Sequence, residues 1–228
     1  MSAIKQGYKQ TKVGIIPQDW EVVKLGKIGD LIGGGTPSTK NEEFWNGNIP
    51  WISSSDLNEN NIYDISISRF INEQAIKNSA TKLIPNKSIL IVSRVGVGKI
   101  AINNKPLCTS QDFQSLILKK DNHIFLAYKI KNEIQKLIAC NQGTSIKGFV
   151  KEDLSNLQIP LPPLKEQEKI AEILTTWDEA ITKQTELLEA KELQKKALMQ
   201  KLLSGEVRFS GFNDVWQEIR LDKLVFFQ

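Results

Sequence analysis

The chain has 228 residues, 40% hydrophobic and 25% charged, with a formal net charge of +4, a globular composition with enough apolar residues for a sizeable core in one or two domains. No apolar run approaches the roughly 18 residues of a membrane helix, and residues 1–6 lack the apolar core of a signal peptide. Two widely spaced cysteines, Cys108 and Cys140, exclude a disulfide scaffold and fit a reducing cytoplasm, while a single histidine, His123, argues against HNH nucleases, His-based zinc sites and Ser-His-Asp hydrolases.

In chain order, the first predicted strand is 21–23, and Gly33-Gly34-Gly35-Thr36-Pro37-Ser38 must be a loop. Residues 49–53 read as a second strand. Around 72–77 a short helix is expected, with Asn72 as its cap and Glu73 in its first turn. Segments 88–93 and 100–102 are predicted strands joined by a tight turn at Gly96 and Gly98, and 115–118 is a further strand. Apolar residues at 126, 127, 130, 134, 137 and 138 have the spacing of an amphipathic helix over 125–138. Ile159-Pro160-Leu161-Pro162-Pro163 is expected to end any regular element.

From Leu164 to Ser204 there is no Gly or Pro, and Gly205 follows. One helix of about 60 Å is predicted. Ile170, Leu174, Trp177, Ile181 and Leu188 form an apolar stripe on it, which a lone helix cannot bury, so a partner helix is expected. The tail repeats the head: Trp20-Glu21-Val22-Val23-Lys24-Leu25-Gly26-Lys27-Ile28 aligns with Trp216-Gln217-Glu218-Ile219-Arg220-Leu221-Asp222-Lys223-Leu224 at a constant offset of 196. The charge is partitioned too. Residues 1–163 hold 20 Lys/Arg against 14 Asp/Glu, whereas 164–203 hold 7 against 8 and 204–228 hold 3 against 4. The whole positive surplus therefore lies in the first segment, the direction expected of a surface that meets a polyanion.

Enzymatic signatures fail one by one. Gly98-Lys99 lacks the first Gly and the hydroxyl residue of a phosphate-binding P-loop, and Gly33-Gly34-Gly35 lacks a dinucleotide-binding continuation. The adenine-methyltransferase signature is absent, and Glu166-Gln167-Glu168 reads as acidic residues in a helix's first turn rather than a nuclease core. No catalytic constellation and no metal site remain.

The chain resembles the DNA-specificity (S) subunit of type I restriction–modification systems. The resemblance is carried by Ile16-Pro17-x-x-Trp20 with Leu25, Gly34-Gly35-Thr36-Pro37-Ser38, and Trp45-Asn46-Gly47-Asn48-Ile49-Pro50-Trp51-Ile52. It continues through Ser93-Arg94-Val95-Gly96-Val97-Gly98-Lys99, Thr109-Ser110-Gln111-Asp112-Phe113 and Leu161-Pro162-Pro163-Leu164-x-Glu166-Gln167-x-x-Ile170-Ala171. It implies a unit of one target-recognition domain and one conserved helix, of which S subunits carry two in tandem with antiparallel helices. On that pattern the chain is expected to be a half-subunit with the start of a second unit.

A DNA reader needs donors for phosphates and groups that reach base edges. Candidates are Thr36, Ser38, Thr39 and Lys40 on the Gly-rich loop, Ser53 and Ser54, Arg94 and Lys99 at the glycine turn, Gln111, and Thr144, Ser145 and Lys147 on a second polar loop. Arg94 stands out because an arginine fork grips guanine or phosphate as lysine cannot; a plain surface arginine is the competing reading. Ser53–Ser55 before Asp56 either cap a turn or present hydroxyls to bases. Trp45 and Trp51 are expected to anchor core or loops rather than stack on bases.

The expectation is a mixed α/β (α+β) target-recognition domain over 1–163, a spacer and dimerisation helix over 164–204 that packs as an antiparallel coiled coil, and the start of a second repeat over 205–228. Function is expected to be sequence-specific DNA recognition without catalysis. By resemblance, the partners are duplex DNA, methyltransferase (M) subunits and a restriction (R) subunit, with S-adenosylmethionine, ATP and magnesium on those partners and none on this chain. A homodimer through the long helix is expected. The alternative is a coiled-coil adaptor whose α/β domain binds protein.

Overall fold

The structure, a computed structural model, describes residues 4–140, 148–220 and 223. Its packing separates into two units divided at Thr175/Thr176. In the first unit a hairpin of β1 (Tyr8–Thr11) and β2 (Gly14–Pro17) precedes β3 (Glu21–Lys24), α1 (Leu25–Ile28) and β4 (Gly29–Gly33). There follow β5 (Ile49–Ile52), β6 (Arg69–Ile71), α2 (Glu73–Lys77), β7 (Leu83–Ile84), β8 (Ile89–Val92), β9 (Ile100–Ile102), β10 (Leu107–Thr109) and β11 (Phe113–Leu118). The domain closes with α3 (His123–Cys140), α4 (Lys151–Asn156) and β12 (Gln158–Leu161), and the long helix α5 covers Leu164–Leu203.

Two four-stranded sheets carry the core, one ordered β4-β11-β8-β9 and the other β6-β5-β10-β7. Strand β8 explains how they stack. Successive strand residues point to opposite faces; Ile89 and Ile91 join the cluster that α3 supplies with Leu126, Ile130 and Ile134. Leu90 and Val92 face the other way, into a cluster with Ile52 and Leu107 of the second sheet. All four residues are fully buried, so this strand is a continuous apolar run instead of an alternating one. The far face of the second sheet is covered by α2 and a 3₁₀ turn, Glu42–Trp45, around Trp51, Ile71, Ala75 and Cys108.

The local signals act as the residues dictate. Asn72 accepts from Ala75 N at 2.9 Å and so caps α2. Asn122 does the same for α3, accepting from Ile124 N and Phe125 N, each at 3.0 Å. Strands β8 and β9 form the expected hairpin, with Gly96 at φ +79° and Gly98 at φ +95° in its turn.

One expectation is corrected. The prolines at 160–163 do not end regular structure, because Pro160 sits inside β12, opposite Val22 of β3. In a two-stranded ribbon every second N–H points outward, so a residue without one is tolerated there. Only after Leu161 do Pro162 and Pro163 break the strand and let α5 begin.

Candidate nucleic-acid interface

The loops that follow β4, β5, β8 and β10 are tied to one another. Gly35 N donates to Thr109 O at 2.8 Å and Ser110 N to Ile52 O at 2.9 Å. Ser93 reaches Asp112 O twice, from its N at 2.7 Å and its Oγ at 3.0 Å. The Lys99 ammonium donates to Leu57 O at 3.2 Å and Ser54 O at 3.5 Å, joining the hairpin turn to the serine segment. Segments distant in sequence, 34–40, 53–57, 93–99 and 109–112, thereby form one continuous surface.

The Gly-rich loop is positioned by close approach. A Cβ on Gly34 would lie 2.1 Å from Ser110 O, and one on Gly35 would lie 2.4 Å from the Ala80 carbonyl carbon, so neither position accepts a side chain. Two indoles hold the loop from below. Trp51 Nε1 donates to Gly35 O at 3.0 Å and Trp45 Nε1 to Ser38 O at 3.2 Å, and the rings meet edge to face at 5.0 Å. The tryptophans are thus anchors, and Thr36, Ser38, Thr39 and Lys40 are left exposed. Thr36 Oγ1 donates to Gln111 Oε1, which links two of the predicted residues directly.

The other candidates divide by environment. Arg94 is exposed at the turn. Ser54 is buried, and Ser53 caps a 3₁₀ turn, Ser54–Asp56. The Ser53 hydroxyl and N–H both donate to Asp56 Oδ2, at 3.2 and 2.7 Å. Lys99 is partly buried and committed to backbone carbonyls. Thr144, Ser145 and Lys147 lie outside the described residues. Just after them Gly148, at φ +111°, packs on Ser93 and Arg94, where a Cβ would meet Ser93 O at 2.4 Å.

Sequence reasoning missed Arg69. Its guanidinium lies 4.7 Å over the Trp51 ring, and its Nη2 donates to Ser53 Oγ at 2.8 Å and to Asp56 Oδ2. One signal was available: it is one of only two arginines in residues 1–163. Titration adds nothing catalytic. Burial pushes the Cys108 thiol up to about 11, partly offset by a hydrogen bond with Thr81, which keeps it protonated and unreactive. Burial, then the charge of Lys87, lowers the His123 pKa. Among the described residues no His/Cys/Asp/Glu cluster is arranged to hold a metal, and no helix is long and apolar enough to cross a membrane.

The helix residues also divide. Ile170 packs on the domain core beside Ala171 and is partly buried, as is Leu174. Trp177, Ile181 and Leu188 are 67%, 62% and 60% exposed.

Residues 17–192 match the type I restriction modification DNA specificity domain. The chain belongs to that family. A type I restriction enzyme specificity subunit of Methanocaldococcus jannaschii, MjaIX, is 38% identical over 189 residues, covering 80% of this chain and 44% of its own length. The EcoR124I/EcoR124II specificity subunit of Escherichia coli is 35% identical, covering 70% and 41%. The chain thus spans less than half the length of these relatives. Its fold is that of the HsdS subunit of Thermoanaerobacter tengcongensis, with a TM-score of 0.58 at 22% identity over 87% of this chain and 47% of that one. An S subunit of M. genitalium gives 0.56 at 19% identity, covering 81% and 46%. The specificity-domain match runs from the end of β2 through most of α5, so it includes both the tied loops and the exposed helix stripe.

Proposed function

We propose that this specificity-domain chain reads one half of a bipartite duplex DNA target and docks methyltransferase subunits, without catalysing a reaction itself. The observation that carries the reading is the set of loops tied into one surface, which exposes Thr36, Ser38, Thr39, Lys40, Arg94 and Gln111 together. These are hydroxyl, amide and cationic donors of the kinds that phosphates and base edges accept. The positive surplus of residues 1–163 supports it. Methyl transfer and cleavage belong to M and R partners, which carry S-adenosylmethionine, ATP and magnesium. The exposed stripe of α5 favours pairing with a second copy, with antiparallel helices and a symmetric, interrupted site.

Equilibrium binding of the purified chain to duplex DNA across a salt series tests this. Phosphate neutralisation makes log affinity fall linearly with log salt, and Arg94→Ala should weaken binding. Salt-independent binding, or none with or without a methyltransferase partner, would overturn the reading in favour of an adaptor that binds protein.

A further inference from the structure

We propose that Ser93 is a positioning residue for recognition: it fixes the Arg94 turn against the Gln111 turn, so that both side chains meet DNA at a set spacing. This rests on the DNA-recognition reading above. Ser93 follows Ile89-Leu90-Ile91-Val92, an apolar run buried throughout, and is itself 1% exposed. Arg94, the next residue, is exposed.

Every polar group of Ser93 is engaged, on two different segments. Its N–H and its hydroxyl both donate to Asp112 O, at 2.7 and 3.0 Å. Its carbonyl accepts from Phe149 N at 2.7 Å. A Cβ on Gly148 would lie 2.4 Å from that carbonyl oxygen and 3.3 Å from Arg94 Cα, so the segment closes on the turn only because no side chain stands there. The far leg of the turn is held as well, Gly98 N donating to Val92 O at 3.1 Å.

Asp112 belongs to the facing turn. Phe113 N closes that turn on Ser110 O at 3.3 Å, Ser110 Oγ donates to Asp112 Oδ2 at 3.1 Å, and Gln111 is exposed at the tip. The Ser93 hydroxyl thus ties the residue before Arg94 to the residue after Gln111.

Pairing of β8 with β11 does not require this hydroxyl. The ladder that sets Val92 opposite Phe113 is extended by the Ser93 N–H alone, which any residue except proline supplies. Taking a hydroxyl out of water costs free energy that its bond offsets, and an apolar residue would continue the run without that cost. What the hydroxyl adds is a second donor on one carbonyl, which restrains the turn about its last ladder bond. A reader held in place before DNA arrives loses less conformational freedom on binding.

The test is a double-mutant cycle read in affinity for a duplex that the wild-type chain enriches from a randomised pool, with its methyltransferase partner if required. Ser93→Ala keeps the N–H bond and removes the hydroxyl; it should weaken binding about two- to tenfold, in keeping with one lost hydrogen bond. In an Arg94→Ala background the same substitution should cost markedly less, because the side chain it positions is gone. A merely structural role would cost the same affinity in both backgrounds, whatever it did to the urea midpoint. Should the alanine variant not fold, amide order parameters of the wild type decide: those of Arg94 and Gln111 should already be about 0.85 in the free chain and stay there with DNA bound. Undiminished affinity in Ser93→Ala, equal losses in both backgrounds, undiminished affinity in Arg94→Ala, or order parameters that rise on binding would each overturn the assignment. A wild type that enriches no duplex would overturn the DNA-recognition reading itself.

Discussion

Trp20 Nε1 donates to Glu166 Oε2 at 3.0 Å, although 146 positions separate them. The bond closes a joint between the start of the recognition domain and the first turn of α5. Beneath it, β3 pairs with β12 from Glu21↔Leu161 to Lys24↔Gln158, and Leu25 N donates to Leu157 O at 3.0 Å. The repeated tail has a different environment. There Trp216 lies on Gly205, which at φ +76° has no room for a Cβ, and its ring is 5.8 Å from the Arg208 guanidinium.

A double-mutant cycle on this pair should show coupling. Trp20→Phe keeps an aromatic ring, though a smaller one, and removes the donor; Glu166→Ala removes the acceptor. Each is expected to cost about 1 kcal/mol, with the double variant costing less than their sum. Urea unfolding monitored by fluorescence and circular dichroism measures it, and strictly additive losses would remove the bond from the joint's energetics.

Gln167, one residue on, is 1% exposed and fully engaged. Its Oε1 accepts from Asn122 N, and its Nε2 donates to Asp121 Oδ1 and Pro162 O, all at 3.0 Å. Substitution by Leu is expected to destabilise the chain by about 2–3 kcal/mol, because it strands an amide donor and buried acceptors without water. Gln167→Glu should be no milder, since it turns a donor into a charge facing Asp121. A urea midpoint unchanged in either variant would contradict this.

How far the residues announced this architecture depends on the range of the interactions. Asn72, the glycine turn at 96–98 and α5 were legible because caps, left-handed glycines and unbroken periodicity act within a few residues. Strands β7 and β10, of two and three residues, were not, since each forms by pairing with a strand distant in sequence. Pro160 misled because its acceptability depends on which edge of β12 is open, a property of the pairing with β3. In the candidate site, the Gly-rich loop and Arg94 were legible as residue types in loops. Arg69 was not, because its orientation comes from Trp51 and Asp56, 18 and 13 positions away.

Acid should weaken α3 through Glu133. Its carboxylate lies 2.8 Å from Lys129 and 3.0 Å from Lys136. Burial alone would raise its pKa, but the hydrogen bonds and charges of the two lysines outweigh that and hold it below the ordinary value. A carboxyl depressed in the folded state contributes stability that is present above its unfolded pKa and is lost as pH falls through the folded one. Wild type should therefore melt above Glu133→Gln at pH 7, and the gap should close toward pH 3. A gap independent of pH would show that the ion pairs contribute nothing measurable.

The exposed stripe of α5 yields the assembly prediction. Trp177, Ile181 and Leu188 are 67%, 62% and 60% exposed along the second unit. Burying one large apolar side chain is worth about 1.5–3 kcal/mol, so a helix leaving this series in water gains strongly from a partner. In a two-fold pair each substitution acts twice. Ile181→Asp combined with Leu188→Asp should therefore shift the chain to monomer in light scattering at micromolar concentration. The first unit should keep its melting transition, because neither residue belongs to its core. A wild type that is already monomeric, or a double variant of undiminished mass, would show that the stripe does not join two copies.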